Sequence, residues 1–202
     1  MAEISAKEVN ELRKATGLGL MECKALLKES AGDMKKAITL AKERGVKNAE
    51  KRSGRAANAG RIECYIHHDG KSGAMSELNC ETDFVARNEE FRKLAKDLAV
   101  QVTAARPIAV SSDDIDPATV AEQKRIFETQ VADKPENVRE KIAEGKLKAW
   151  FAEVALLDQQ FVKDSSKTVR DLIIEVNART GENVSIARFS RFVVGESPAD
   201  ES

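Results

Sequence analysis

The chain is poor in aromatic side chains, which make up 4% of its residues, and it has no apolar run long enough to cross a bilayer. Its opening, MAEISAKEVN, also lacks the apolar core of a secretory signal, so the cytoplasm is the expected location and no membrane partner is expected. An excess of either charge sign is missing too. Because 33 basic side chains stand against 34 acidic ones, the molecule as a whole has no field that would gather nucleic acid or anionic lipid. Cysteine is sparse and odd in number. Cys23, Cys64 and Cys80 have no CxxC spacing, which argues against a zinc site or a disulfide framework and leaves three reduced packing residues. There is no GxxxxGKS/T phosphate loop, no HExxH and no GxSxG, so no catalytic constellation supports an enzyme reading. The adjacent His67 and His68 point opposite ways on a strand and cannot share one metal without distortion. They read as solvated turn residues, and no metal or cofactor is expected.

What is present is a soluble, helix-rich composition, 42% hydrophobic and 33% charged, in a chain of 202 residues that can bury an ordinary core. Residues 1–45 predict three short helices. Ser5 and Glu8 make an S-x-x-E capping box ahead of Val9 and Leu12, and the turn Thr16-Gly17-Leu18-Gly19 ends the first helix. The second carries Met21, Leu26 and Leu27 and stops near Gly32. Asp33 caps the third, which carries Met34, Ala37, Ile38 and Ala41 and is expected to stop at Gly45. Residues 46–60, rich in Ala, Gly, Asn and Lys/Arg, predict a basic flexible linker. Arg44, Lys47, Lys51 and Arg55 would share one face if this stretch were helical, but no aromatics interleave for base stacking, so nucleic acid is not the expected partner.

Residues 61–195 predict an α+β core. Ile62, Cys64 and Ile66 alternate with polar positions, His68-Asp69-Gly70 turns the chain, and Ala74, Ser76, Leu78 and Cys80 follow, which is a hairpin with one buried face. Asn88 can cap a helix that places Phe91, Leu94, Leu98 and Val102 in one stripe against the hairpin. Helices are expected from Pro117 to about Ala132, from Pro135 to about Glu144 and, beyond Gly145, from Lys146 to Leu156. Ser166 is expected to cap one more, with Val169, Leu172, Ile173 and Val176. A strand with Val184, Ile186, Phe192 and Val194 on one alternation completes a small antiparallel sheet covered by helices. The acidic tail, 196–202, is expected to be disordered.

The segment NCETDFVARN, Asn79 to Asn88, joins the hairpin to the long helix and sets a carboxylate beside a large aromatic, Asp83 and Phe84. Two readings stay open on the residues alone. Either Asp83 caps the next turn and Phe84 plugs a local core, or Phe84 is an exposed anchor for a partner's pocket, since aromatics dominate interface energies.

The string TDFVARN resembles the TDFVAK or TDFVAR signature of the elongation factor Ts family. LRKATGLGLMECKALL (Leu12 to Leu27) and EGKLKAWFAEVALLDQQFVKDSSKTV (Glu144 to Val169) are similar to that family's amino-terminal and carboxy-terminal core segments. The resemblance implies a non-enzymatic guanine-nucleotide exchange factor of translation whose partner is the GTPase elongation factor Tu. It also implies a ubiquitin-associated-like amino-terminal module. By position, Asp83 and Phe84, flanked by Thr82 and Val85, would disturb the GTPase's magnesium and phosphate site. Arg13, Leu20 and Met21 would make a second contact. Two departures are Leu20, where many relatives carry methionine, and Gln160, where a proline is common. The chain has material for one core subdomain, so the short form and a homodimer are implied. Rival expectations are a peptide- or ubiquitin-like-binding module built on the three helices, and an RNA-associated translation protein.

Overall fold

A computed structural model of the chain describes residues 4–196. The chain forms an α+β fold in two compact units. One gathers the chain up to Arg61, Leu78–Lys93 and Asp171–Ser185. The other gathers Ile62–Glu77, Leu94–Arg170 and the chain from Ile186 onward.

In the first unit, α1 (Ala6–Thr16) starts at the expected capping box: the Ser5 hydroxyl accepts from Glu8 N–H at 3.2 Å while Ser5 N–H donates to the Glu8 carboxylate at 2.7 Å. It stops because Gly17 takes φ +72°, a conformation open to glycine without a Cβ penalty. A Cβ there would also crowd the Arg179 side chain, which would have to shift. α2 (Leu20–Glu29) and α3 (Met34–Arg52) follow, the latter capped by Asp33 on Lys36 N–H. Val9, Leu12, Leu18, Cys23, Leu26, Leu27, Ala37 and Ala41 close a core to which Ala178 of α8 (Val169–Thr180) also packs.

Residues 46–52 of the expected linker are helix rather than flexible chain. α3 runs past Gly45 to Arg52, whose guanidinium donates to Asn177 O at 2.9 Å. Gly45 itself is buried, and a Cβ built on it would lie 3.0 Å from Ile174 Cγ2, so this glycine admits a neighbouring side chain rather than ending the helix. The expected disordered tail falls outside the described residues except for Glu196.

β1 (Ala59–Ile66), β2 (Ser72–Cys80) and β5 (Ser185–Val193) form the three-stranded antiparallel sheet in the order β1-β2-β5. Ala74, Ser76, Leu78 and Cys80 face inward as the alternation predicts. In the second unit Ser76 Oγ donates to Ala95 O of α5 (Glu89–Ala105) at 3.4 Å, which sets that helix against the hairpin. The expected inward face of β1 is the outward one: Ile62 is 61% and Ile66 70% exposed, and Cys64 is exposed as well rather than a packing residue. Phe192 and Val194 likewise point outward, because Ala187 and Arg188 are exposed in succession and the alternation changes phase between Ile186 and Phe192.

The second unit continues with α6 (Pro117–Gln130) and α7 (Glu136–Val154), which pack on each other. Gly145 is expected to separate two helices here, but α7 runs through it as one. Ser166 caps no helix either. It lies in β4 (Asp164–Thr168), paired with β3 (Gln160–Phe161), and donates both N–H and hydroxyl to the Asp164 carboxylate. The buried Gln101 amide ties α5 to this segment, donating to Gln159 Oε1 and Gln160 O at 3.1 Å each and accepting from Val162 N–H at 2.8 Å.

Candidate functional site

β2 ends at Cys80, and after Glu81 and Thr82 the chain enters the single turn α4 (Asp83–Ala86). Thr82 rather than Asp83 caps that turn: its hydroxyl accepts from Val85 N–H at 3.4 Å. In a helix so short the side chains fan to opposite sides within two positions. Val85 is 5% exposed and Ala86 7%, whereas Phe84 is 84% exposed, with Asp83 exposed beside it. The reading of Phe84 as a local core plug is therefore excluded. Val85, grouped with it by sequence, turns its side chain inward and anchors the turn. Asn88 then caps α5 by accepting from Glu90 N–H at 2.8 Å, as expected.

The turn is braced from the segment after α8. Glu182 Oε2 accepts from Glu81 N–H and Thr82 N–H at 3.1 Å each, and Glu182 Oε1 accepts from the Thr82 hydroxyl at 2.6 Å. In return Glu81 Oε1 accepts from Asn183 N–H at 2.7 Å and pairs with Arg55 at 3.4 Å. The Asn183 amide donates to Arg55 O at 2.9 Å. Two neighbouring carboxylates thus each satisfy backbone donors of the opposite strand end. Burial pushes the Cys80 thiol pKa up, and the Glu182 and Asp83 carboxylates add to it, so Cys80 stays a protonated donor, to Thr82 O at 3.2 Å. Sequence reasoning missed Glu182 and Asn183. Both lie about a hundred positions from their partners, inside a stretch whose local signal is only a turn at Gly181.

Arg13, Leu20 and Met21 belong to the same unit as Asp83 and Phe84. Arg13 lies exposed in the last turn of α1, and Leu20 and Met21 open α2, 48% and 80% exposed, while Leu18 and Cys23 on either side point into the helical core.

The basic stripe is partly spent within the fold: Arg44 pairs with Glu29, and Arg55 with Glu81. His67 accepts or donates at the Tyr65 hydroxyl, 3.2 Å away, and packs on His68 with ring centres 4.3 Å apart. Among the described residues no cluster of histidine, cysteine or carboxylate side chains is arranged to hold a metal ion, and no helix is long and apolar enough to cross a membrane.

A family model described as Elongation factor TS matches residues 22–196, which includes Thr82–Val85 and leaves Arg13, Leu20 and Met21 outside the matched span. Elongation factor Ts of Thermotoga petrophila is 44% identical over 198 residues, covering 98% of this chain and 100% of the relative. Elongation factor Ts of Thermodesulfovibrio yellowstonii is 50% identical over 194 residues, covering 96% and 97%. Elongation factor Ts of Desulforamulus reducens is 48% identical over 198 residues, covering 97% and 91%.

Proposed function

The chain belongs to the elongation factor Ts family and is a translation elongation factor, and from this premise we propose that it is a guanine-nucleotide exchange factor that releases GDP from elongation factor Tu. The observation that carries the reading is Phe84, a large aromatic left 84% exposed beside an exposed carboxylate on a braced turn. A monomeric fold gains nothing from that exposure, whereas a pocket in a partner would bury it. Asp83 and Phe84 act as a wedge on the GTPase's magnesium and phosphate site. Thr82 and Val85 hold the wedge, one by capping its turn and one by packing beneath it. The factor binds the disturbed, nucleotide-free state, so it weakens GDP by the same factor by which GDP weakens it. No bond is broken, and the protein needs no nucleotide, metal or cofactor of its own. Its place of action is the cytoplasm.

Burial of Phe84 contributes about 1.5 to 3 kcal/mol, which is about one to two decades of affinity. That is too little alone, and Arg13, Leu20 and Met21 supply a second contact. The rival in which the three helices are an independent binding module has less support, since their core is shared with α8. The test is stopped-flow release of a fluorescent GDP from purified elongation factor Tu. Wild-type chain accelerates it, and Phe84→Ala loses about ten- to a hundredfold of that acceleration with an unchanged melting temperature. Undiminished acceleration by Phe84→Ala removes the assignment.

The protein works as a homodimer, and the surface that supports this is the outward sheet face of the second unit. Ile62, Cys64, Ile66, Met75, Phe192 and Val194 are all exposed there, and most of them line one shallow groove. A second copy offers the same apolar face, which suits an isologous contact across a two-fold axis.

A further inference from the structure

The wedge is useful only if its direction is fixed before the partner arrives, because a side chain that must be ordered on binding gives up part of its contact energy. Within α4 the hold is slight, the buried Val85 beneath the turn and one weak cap. The turn has four residues, and its one side-chain cap, Thr82 to Val85 N–H, is long at 3.4 Å. What fixes it is Glu182. One carboxylate there takes three hydrogens from the two residues that precede Asp83, two from backbone N–H groups and one from the Thr82 hydroxyl. Hydrogen bonds to an ionised acceptor are the stronger kind, and three on one carboxylate define both its position and that of the chain it holds.

Glu182 is itself held. Its N–H donates to the Thr180 hydroxyl at 3.3 Å, and that hydroxyl donates to Val176 O at 2.8 Å. The next two residues are pinned as well, Asn183 N–H to Glu81 and Val184 N–H to the Asn177 side chain at 2.8 Å. The chain from α8 through Glu182 is thus tied down on both sides of the carboxylate. We propose that Glu182 is a positioning residue for nucleotide exchange: its carboxylate sets the Glu81-Thr82 turn so that Asp83 and Phe84 project in the orientation that enters the GTPase. The inference rests on the reading of Phe84 as the wedge, and it adds a residue that no local sequence pattern marks.

The experiment is the same fluorescent-GDP release on elongation factor Tu, run with the full chain carrying Phe84→Ala, Glu182→Ala, Glu182→Gln, Glu182→Asp and the Phe84→Ala/Glu182→Ala pair, each with a thermal melt. Glu182→Ala slows exchange on the order of tenfold, within the one to two decades that the Phe84 contact itself supplies. Glu182→Gln keeps most of the rate, since its amide oxygen still accepts both N–H groups and its NH2 can donate to the Thr82 hydroxyl. In the Phe84→Ala background Glu182→Ala adds clearly less slowing than in the wild type, because only Asp83 is left to position. A purely structural residue would instead slow both backgrounds alike and in step with lost melting temperature. If Glu182→Ala is too unstable to assay, Glu182→Asp, one methylene too short to hold all three donors, takes its place and slows exchange by a smaller factor.

Undiminished exchange by Phe84→Ala overturns the wedge and this inference together. A slow Phe84→Ala with a normal Glu182→Ala, with equal slowing of both backgrounds, or with Glu182→Gln no better than Glu182→Ala, overturns the positioning role alone.

Discussion

Two consecutive side chains, Phe84 outside and Val85 inside, show how much the site depends on single-residue geometry. A capped single turn rotates each position by about 100°, so one neighbour anchors while the other projects. The pattern TDFV was legible as a junction, but its spacing left Phe84's direction open, because exposure there is set by what packs under α4 and not by the string itself. Where the determinants are local, the sequence was a sufficient guide, as at the Ser5–Glu8 capping box. The Ser5 side chain and N–H hold the Glu8 carboxyl below its ordinary pKa of 4.5. A lowered folded-state value means stability that is present above the unfolded pKa and lost as pH falls through the folded one. Ser5→Ala should therefore destabilise the protein near neutrality, and that cost should shrink in acid as Glu8 protonates in the wild type as well. Denaturant melts of both proteins at neutral pH and at pH values below that of the free carboxyl measure it. A gap that stays constant on acidification would show that the capping box does not contribute in this way.

At the scale of elements, most start signals and the stops at Gly17, Gly32 and Gly181 were read correctly, whereas the start at Ser166 and the stops at Gly45 and Gly145 were not. Ser5, Asp33 and Asn88 all cap as their side-chain chemistry implies, since an N-cap needs only a short acceptor and a following helix. Gly45 and Gly145, expected as ends, lie inside α3 and α7. A glycine inside a helix costs only about 1 kcal/mol relative to alanine, which the packing of a long helix outweighs. The two glycines differ in what surrounds them. Gly45 is buried against Ile174, so an added methyl has to displace a neighbour, while nothing lies within 4 Å of a Cβ built on Gly145. Gly145→Ala should stabilise the protein by about 0.5 to 1 kcal/mol, and Gly45→Ala should give no such gain. Urea unfolding of the two variants compares them directly, and equal effects would mean that helix propensity rather than local space decides both.

For the whole molecule, the fold class was legible from period changes along the chain, but its division into units was not. The first unit is assembled from three separated stretches, and the contacts that join them, such as Glu182 with Thr82 and Arg52 with Asn177, span about a hundred positions or more. The sheet was found and the inward face of β2 with it, but β1 and the far end of β5 face the other way, because a period of two says that one face is apolar and not which face the rest of the chain covers. That reversal leaves Ile62, Ile66, Phe192 and Val194 exposed beside Met75 on one surface of the second unit, with Cys64 among them. The proposed homodimer predicts twice the chain mass by light scattering, and half of it for Ile66→Asp or Phe192→Asp, since a charge buried at a two-fold contact is left unpaired twice. Cys64 supplies an independent reading. Cys23 and Cys80 are buried, and Cys80 is further held as the unreactive thiol, so Cys64 is the cysteine within reach of an aromatic disulfide reagent in the folded chain. Its modification should be slow at high protein concentration and should speed up on dilution and in the Asp variants. A fast rate that does not change with concentration, together with a monomer mass, would mean that this face stays open to solvent and that the dimer does not form through it.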